Sequence, residues 1–112
     1  MKALPEGFTM VKQGVAFHSP MKREVPGFYL GEPHESPPFH GTLDSGLLTE
    51  RGMRHLIDCV EAMKAVLGDE VGLALDCGPG WTVPDAIRFA RAVEDLNLLW
   101  LDELFFRLQY SL

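Results

Sequence analysis

Hydrophobic and polar positions divide the chain into a few readable blocks. The stretch GFTMVKQGVAF starts at Gly7, with Phe8, Met10 and Val11 ahead of Lys12 and Gly14 interrupting the run. It predicts a buried strand. From Thr49 onward, Met53, Leu56, Ile57, Val60, Met63 and Leu67 recur at helical spacing, with Thr49 as N-cap and Gly68 as the stop. EVGLALD is a nearly continuous apolar run of strand length, the pattern of a parallel strand covered on both faces. After the CGPG turn, Thr82 and Asp85 have the spacing of a capping box, with Pro84 tolerated in the first helical turn. Ala86, Ile87, Ala90 and Val93 form the apolar stripe of that helix, and Asn97 ends it. LLWLDE is a further apolar strand finishing in acids.

Between Ser19 and Ser45 the pattern breaks down. Pro20, Pro26, Pro33, Pro37 and Pro38 leave neither helical nor strand periodicity. Long loops of this kind in a compact domain are often functional. The aromatics Phe28, Tyr29 and Phe39 predict a lid that packs over something. The element order is strand, long loop, helix, strand, helix, strand, which is the order of right-handed βαβ units in a parallel sheet.

Composition narrows the class. The chain has 112 residues, 46% of them apolar, which is the composition of a globular domain. A net charge of −6 argues against nucleic acid and anionic membrane surfaces as partners. No signal-peptide core or membrane-length apolar segment is evident, so a cytoplasmic chain is expected. Cys59 and Cys77 fall in different elements and have no zinc spacing with the histidines. Cys77 reads as a small buried turn residue, because no histidine is fixed near it to activate a thiolate. His55 reads as decoration of the outer helix, His18, His34 and His40 as loop polarity, and Trp81 and Trp100 as packing residues.

In parallel α/β architectures chemistry gathers at the carboxyl ends of strands. Lys12, Asp76 and the pair Asp102 and Glu103 fall there. Side chains at neighbouring strand ends, about 4.8 Å apart, can converge on one ion, and hard carboxylate oxygens suit Mg²⁺. A carboxylate ending a buried strand is costly without a positive partner, and a metal would supply one for Asp76. The plainer readings are a turn acid at Asp76, a solvated strand end at Asp102 and Glu103, and a surface lysine at Lys12. Set among apolar neighbours, Lys12 would instead be desolvated and useful as a base. A flavodoxin-like phosphate loop is not supported, since GxGxxG is absent and Pro79 lacks an N–H.

The stretch VGLALDCGPGWTVPDAIRFARAVEDLNLLWLDEL resembles the mandelate racemase/muconate lactonizing branch of the enolase superfamily. In that branch a strand ends in Asp-x-Asn or a variant, a Gly-Trp turn and a helix follow, and the next strand ends in Trp-(Ile/Leu)-Glu-(Glu/Asp). GFTMVKQG resembles the preceding strand, which carries a Lys-x-Lys motif. The resemblance implies an α/β fold, a parallel βαβαβ segment of a TIM-type (β/α)8 barrel. It also implies Mg²⁺-dependent abstraction of a proton α to a carboxylate, with stabilisation of the enediolate. Asp76 matches the first metal ligand, Asp102 or Glu103 the second, and Lys12 the first basic position of Lys-x-Lys. The substrate class implied is a small-molecule sugar acid or α-hydroxy acid, and the activity implied is that of a dehydratase. The long loop resembles the site-covering loops of acid-sugar dehydratases. Three departures stand out: the acid pair runs Asp-Glu rather than Glu first, Gly14 replaces the second lysine, and Gly78 replaces the asparagine.

A whole barrel takes about 250 residues. Residues 1–112 are therefore expected to be a truncated, partial C-terminal barrel domain, with residues 19–45 as an active-site-type loop. Its open sheet edges would favour self-association. The contrasting expectation is a non-catalytic fragment or pseudo-enzyme interaction module.

Overall fold

The computed structural model describes residues 7–15, 25–30, 47–77 and 81–102. Strands β1 (Met10–Gly14), β2 (Gly72–Asp76) and β3 (Leu101–Asp102) form a parallel sheet in the order β1-β2-β3. Helix α1 (Glu50–Leu67) connects β1 to β2, and helix α2 (Val83–Ala92) connects β2 to β3. The expected α/β fold and parallel βαβαβ order are therefore present. A short 3-10 turn, Glu94–Leu96, extends α2, and Asn97 closes it with left-handed backbone, φ 56° and ψ 51°.

Both helices begin and end on local chemistry. Thr49 Oγ1 accepts the Gly52 N–H at 2.9 Å, supplying one of the partners that the first turn of α1 lacks. Gly68 takes φ 76°, and its N–H reaches the Lys64 carbonyl at 2.9 Å. Thr82 caps α2 by accepting the Asp85 N–H at 3.4 Å. Only that half of the expected capping box forms, because the Asp85 side chain is used elsewhere.

The pleat sorts the sheet into two faces. Val15, Leu73, Leu75 and Cys77 are buried against Met53, Leu56 and Val60 of α1 and Ala86 and Phe89 of α2, with Val93 just past it. The alternate positions, Lys12, Ala74, Asp76 and Asp102, lie on the opposite face.

Several expectations are corrected. β1 is not a buried strand: Phe8 and Met10 are exposed, and Val15 just beyond it is buried. Phe8 and Met10 share the Lys12 face, away from the helices, and β1 is an edge among the described residues. On α2 the stripe runs through Ala86, Phe89 and Val93, while Ile87 is exposed. Trp100 is 47% exposed and so is not a packing residue, whereas Trp81 is buried.

Phe28 and Tyr29 are core residues rather than a lid. Their rings meet edge to face at 4.9 Å. His55 is half-buried, with its ring edge-on to Phe28 at 6.5 Å, so it does more than decorate the helix. Phe39, His18, His34 and His40, the greater part of the 19–45 loop, Gly78, Pro79 and Glu103 lie outside the described residues.

Candidate active site

The sheet register brings the sequence-predicted residues onto one face. Gly14 pairs with Asp76 and Asp76 with Asp102, so the two carboxylates stand side by side at the carboxyl end of β2 and β3. Lys12, one pleat earlier on β1, reaches across the sheet, and its Nζ lies 3.0 Å from Asp102 Oδ2. The ammonium is half exposed and ion-paired. It is not desolvated among apolar neighbours as the sequence pattern implied.

The carboxyl end of β2 is held from both sides. The Val15 N–H donates to the Asp76 carbonyl at 2.9 Å, and the Cys77 N–H donates to the Asp102 carbonyl at 3.1 Å. The Trp81 indole N–H donates to the Cys77 carbonyl at 2.8 Å, while its ring packs on Phe89 at 4.8 Å. Trp81 thus ties the chain leaving Asp76 to the core.

Two groups here have altered acidity. Donation from Lys12 holds the Asp102 carboxyl below the usual carboxylate range, helped by the Trp100 side chain and opposed by partial desolvation. Burial pushes the Cys77 thiol up to about 12, and the neighbouring charges of Asp76 and Asp102 add to the effect. A fully buried thiol held protonated is not a nucleophile, so Cys77 is the small buried residue expected.

Asp76 and Asp102 are hard oxygen donors on adjacent strands, which fits Mg²⁺, an ion commonly held by one or two carboxylates with water or substrate completing its shell. Among the described residues no group of three or more His, Cys, Asp or Glu side chains comes together as a metal cluster. Glu103, the alternative second ligand, lies outside them.

Sequence reasoning missed Asp85 as anything beyond a cap. Its side chain is fully buried, and Oδ2 accepts the Leu48 N–H at 2.7 Å. Arg88 Nη1 lies 3.3 Å from Oδ1, without the alignment of a hydrogen bond. The only local signal was an acid at the third helical position, which cannot distinguish a cap from a long-range acceptor.

Comparison with known proteins gives the family of the chain. The profile described as "Enolase C-terminal domain-like" matches residues 2–108. The chain belongs to that family. Its similarities fall in the mandelate racemase/muconate lactonizing branch of the enolase superfamily. It is 43% identical over 47 residues to a 3,6-anhydro-alpha-L-galactonate cycloisomerase of Streptomyces coelicolor, a match covering 42% of this chain and 13% of that protein. It is 40% identical over 42 residues to an L-talarate/galactarate dehydratase of Salmonella typhimurium, covering 38% of this chain and 11% of that one. The matched segments are therefore a small part of these relatives. No solved structure matches the chain significantly. Among the described residues no helix is long and apolar enough to cross a membrane.

Proposed function

We propose that this chain carries part of the active centre of a Mg²⁺-dependent enzyme acting on sugar-acid or α-hydroxy-acid carboxylates, in the lineage of dehydratases and cycloisomerases. The observation that supports it most is the in-register placement of Asp76 and Asp102, with Lys12 reaching the same spot from β1. Two family-type acids and a lysine from three different strands meet at one end of one sheet face. In this reading residues 1–112 are three consecutive strands of a TIM-type barrel, with the third ligand and the opposite acid or base on other strands.

Asp76 and either Asp102 or Glu103 hold the ion. When bound, Mg²⁺ supplies the positive charge that offsets negative charge growing on the substrate carboxylate as the α proton leaves. Lys12, as an ammonium at Asp102, anchors and orients the substrate carboxylate. To accept the α proton it must first give up its own proton to solvent and leave Asp102.

The test is exchange of the α proton of candidate sugar acids for solvent deuterium, followed by NMR with Mg²⁺ present. The reading expects exchange that is lost in Asp76→Asn and Lys12→Met. Mg²⁺ binding without exchange for any sugar acid would favour the contrasting reading, a non-catalytic interaction module. The Lys12–Asp102 pair suits that reading too, since it satisfies both groups without substrate.

A further inference from the structure

Asp85 is the only buried charged residue among the described ones, and its carboxylate is committed to a backbone N–H far away in sequence. That N–H belongs to Leu48, which lies at a narrow neck. Leu30 N–H donates to the Leu47 carbonyl at 2.8 Å, Tyr29 and Leu48 form an antiparallel bridge, and Thr49 N–H donates to the Phe28 carbonyl at 3.0 Å. The described residues that flank segment 31–46 are thereby clamped side by side. Thr49 Oγ1 adds contacts to the Gly27 and Phe28 carbonyls. Gly52 lets the neck lie directly on α1, since a Cβ there would be 2.3 Å from the Phe28 oxygen.

The neck sits at a telling height. Asp85 is in the first turn of α2, which begins at Val83, a few residues after β2 ends at Asp76. The first turn of a helix following a parallel strand lies at the carboxyl end of that strand. Leu30 and Leu47 are therefore held at the same end of the sheet as Asp76 and Asp102.

We infer that Asp85 is a positioning residue, a latch that fixes the neck of segment 31–46 to the start of α2, and so sets where that segment departs and returns beside the candidate site. The link to catalysis rests on the function proposed above; the latch itself does not. Its carboxylate is spent on positioning another segment, so Asp85 is not a catalytic residue. The latch acts on the two ends whatever path the intervening residues take.

The test is amide hydrogen exchange by NMR on the whole chain, with Leu48 and Leu30 measured relative to Leu75, whose N–H is bonded within the sheet to the Trp100 carbonyl. In Asp85→Ala the Leu48 N–H loses its buried acceptor, and the latch predicts about tenfold or greater selective acceleration at Leu48, with Leu30 following. Asp85→Asn retains an acceptor oxygen and restores protection, whereas Arg88→Ala leaves it unchanged. Equal acceleration at Leu48 and Leu75, or none at Leu48, overturns the latch. Should Asp85→Ala fail to fold, the unaltered chain still decides. A scalar coupling between the Leu48 amide nitrogen and the Asp85 carboxyl carbon supports the latch, and its absence overturns it. Neither readout involves Mg²⁺ or substrate, so failure of the latch and failure of the metal reading remain separable.

Discussion

Asp76 and Asp102 stand opposite one another on neighbouring parallel strands, in register, on the sheet face turned away from both helices. Like charges placed directly across a sheet repel. Lys12 offsets part of that repulsion at Asp102, and a divalent cation would offset the rest.

The Lys12–Asp102 pair predicts a defined pH response. The folded Asp102 carboxyl is held below its ordinary value of 3.8. A depressed carboxyl contributes stability that is present above the unfolded pKa and lost as pH falls through the folded one. Side-chain carboxyl NMR should show Asp102 titrating below 3.8 in the unaltered chain, and moving up toward that value in Lys12→Met. No movement in that variant would separate Asp102 from Lys12.

Packing of the neck on α1 makes Gly52 hard to replace. Alanine is the better helix former by about 1 kcal/mol. Here its Cβ would meet the Phe28 carbonyl oxygen at 2.3 Å, a backbone atom that cannot rotate away. Overpacking of this kind costs roughly 1–3 kcal/mol, so the clash is expected to outweigh propensity. Urea unfolding of Gly52→Ala should show a lower midpoint than the unaltered chain.

Gly14 offers the opposite case. Among the described residues nothing lies within 4 Å of a Cβ built there, and it shares the register position of Asp76. Gly14→Lys, at the position where the resemblance implies a second lysine, should change unfolding free energy by less than about 0.5 kcal/mol. A large loss of stability would show that the space beside Asp76 is not open.

Much of this was legible because it is local. Thr49, Gly68 and Thr82 bound the helices where their chemistry places them, and the apolar run ending at Asp76 is the central strand. What escaped depends on distant partners. Phe28 and Tyr29 look like loop aromatics until Leu48 and Thr49, some twenty residues on, pair with them. Asp85 looks like a cap until Leu48 reaches it. Phe89 escaped for another reason: Ile87 and Ala90 also fit a helical stripe, and only packing against Trp81 selects Phe89.

Phe89 is accordingly the residue on which the α2 side of the core most depends. Its side chain is fully buried beside Trp81. Phe→Ala in a core costs about 3–5 kcal/mol, a large share of the stability of a small domain. Phe89→Ala should unfold at much lower urea, read by Trp fluorescence, whereas Ile87→Ala should scarcely move.

Cys77 should be inert in the folded chain. Burial and the two neighbouring carboxylates keep it protonated, while Cys59 on α1 is only partly buried. At pH 8 a thiol reagent should modify Cys59 first and reach Cys77 only on unfolding. Equal rates would reopen a role for that thiol.

The most direct test of the central claim is calorimetric titration of Mg²⁺ into the purified chain, alone and as Asp76→Asn, with oligomeric state measured in the same samples. Saturable binding that disappears in Asp76→Asn is the predicted result, and it would make the aligned strand ends a metal site. Binding that survives the substitution unchanged, or no binding by the unaltered chain, would contradict it.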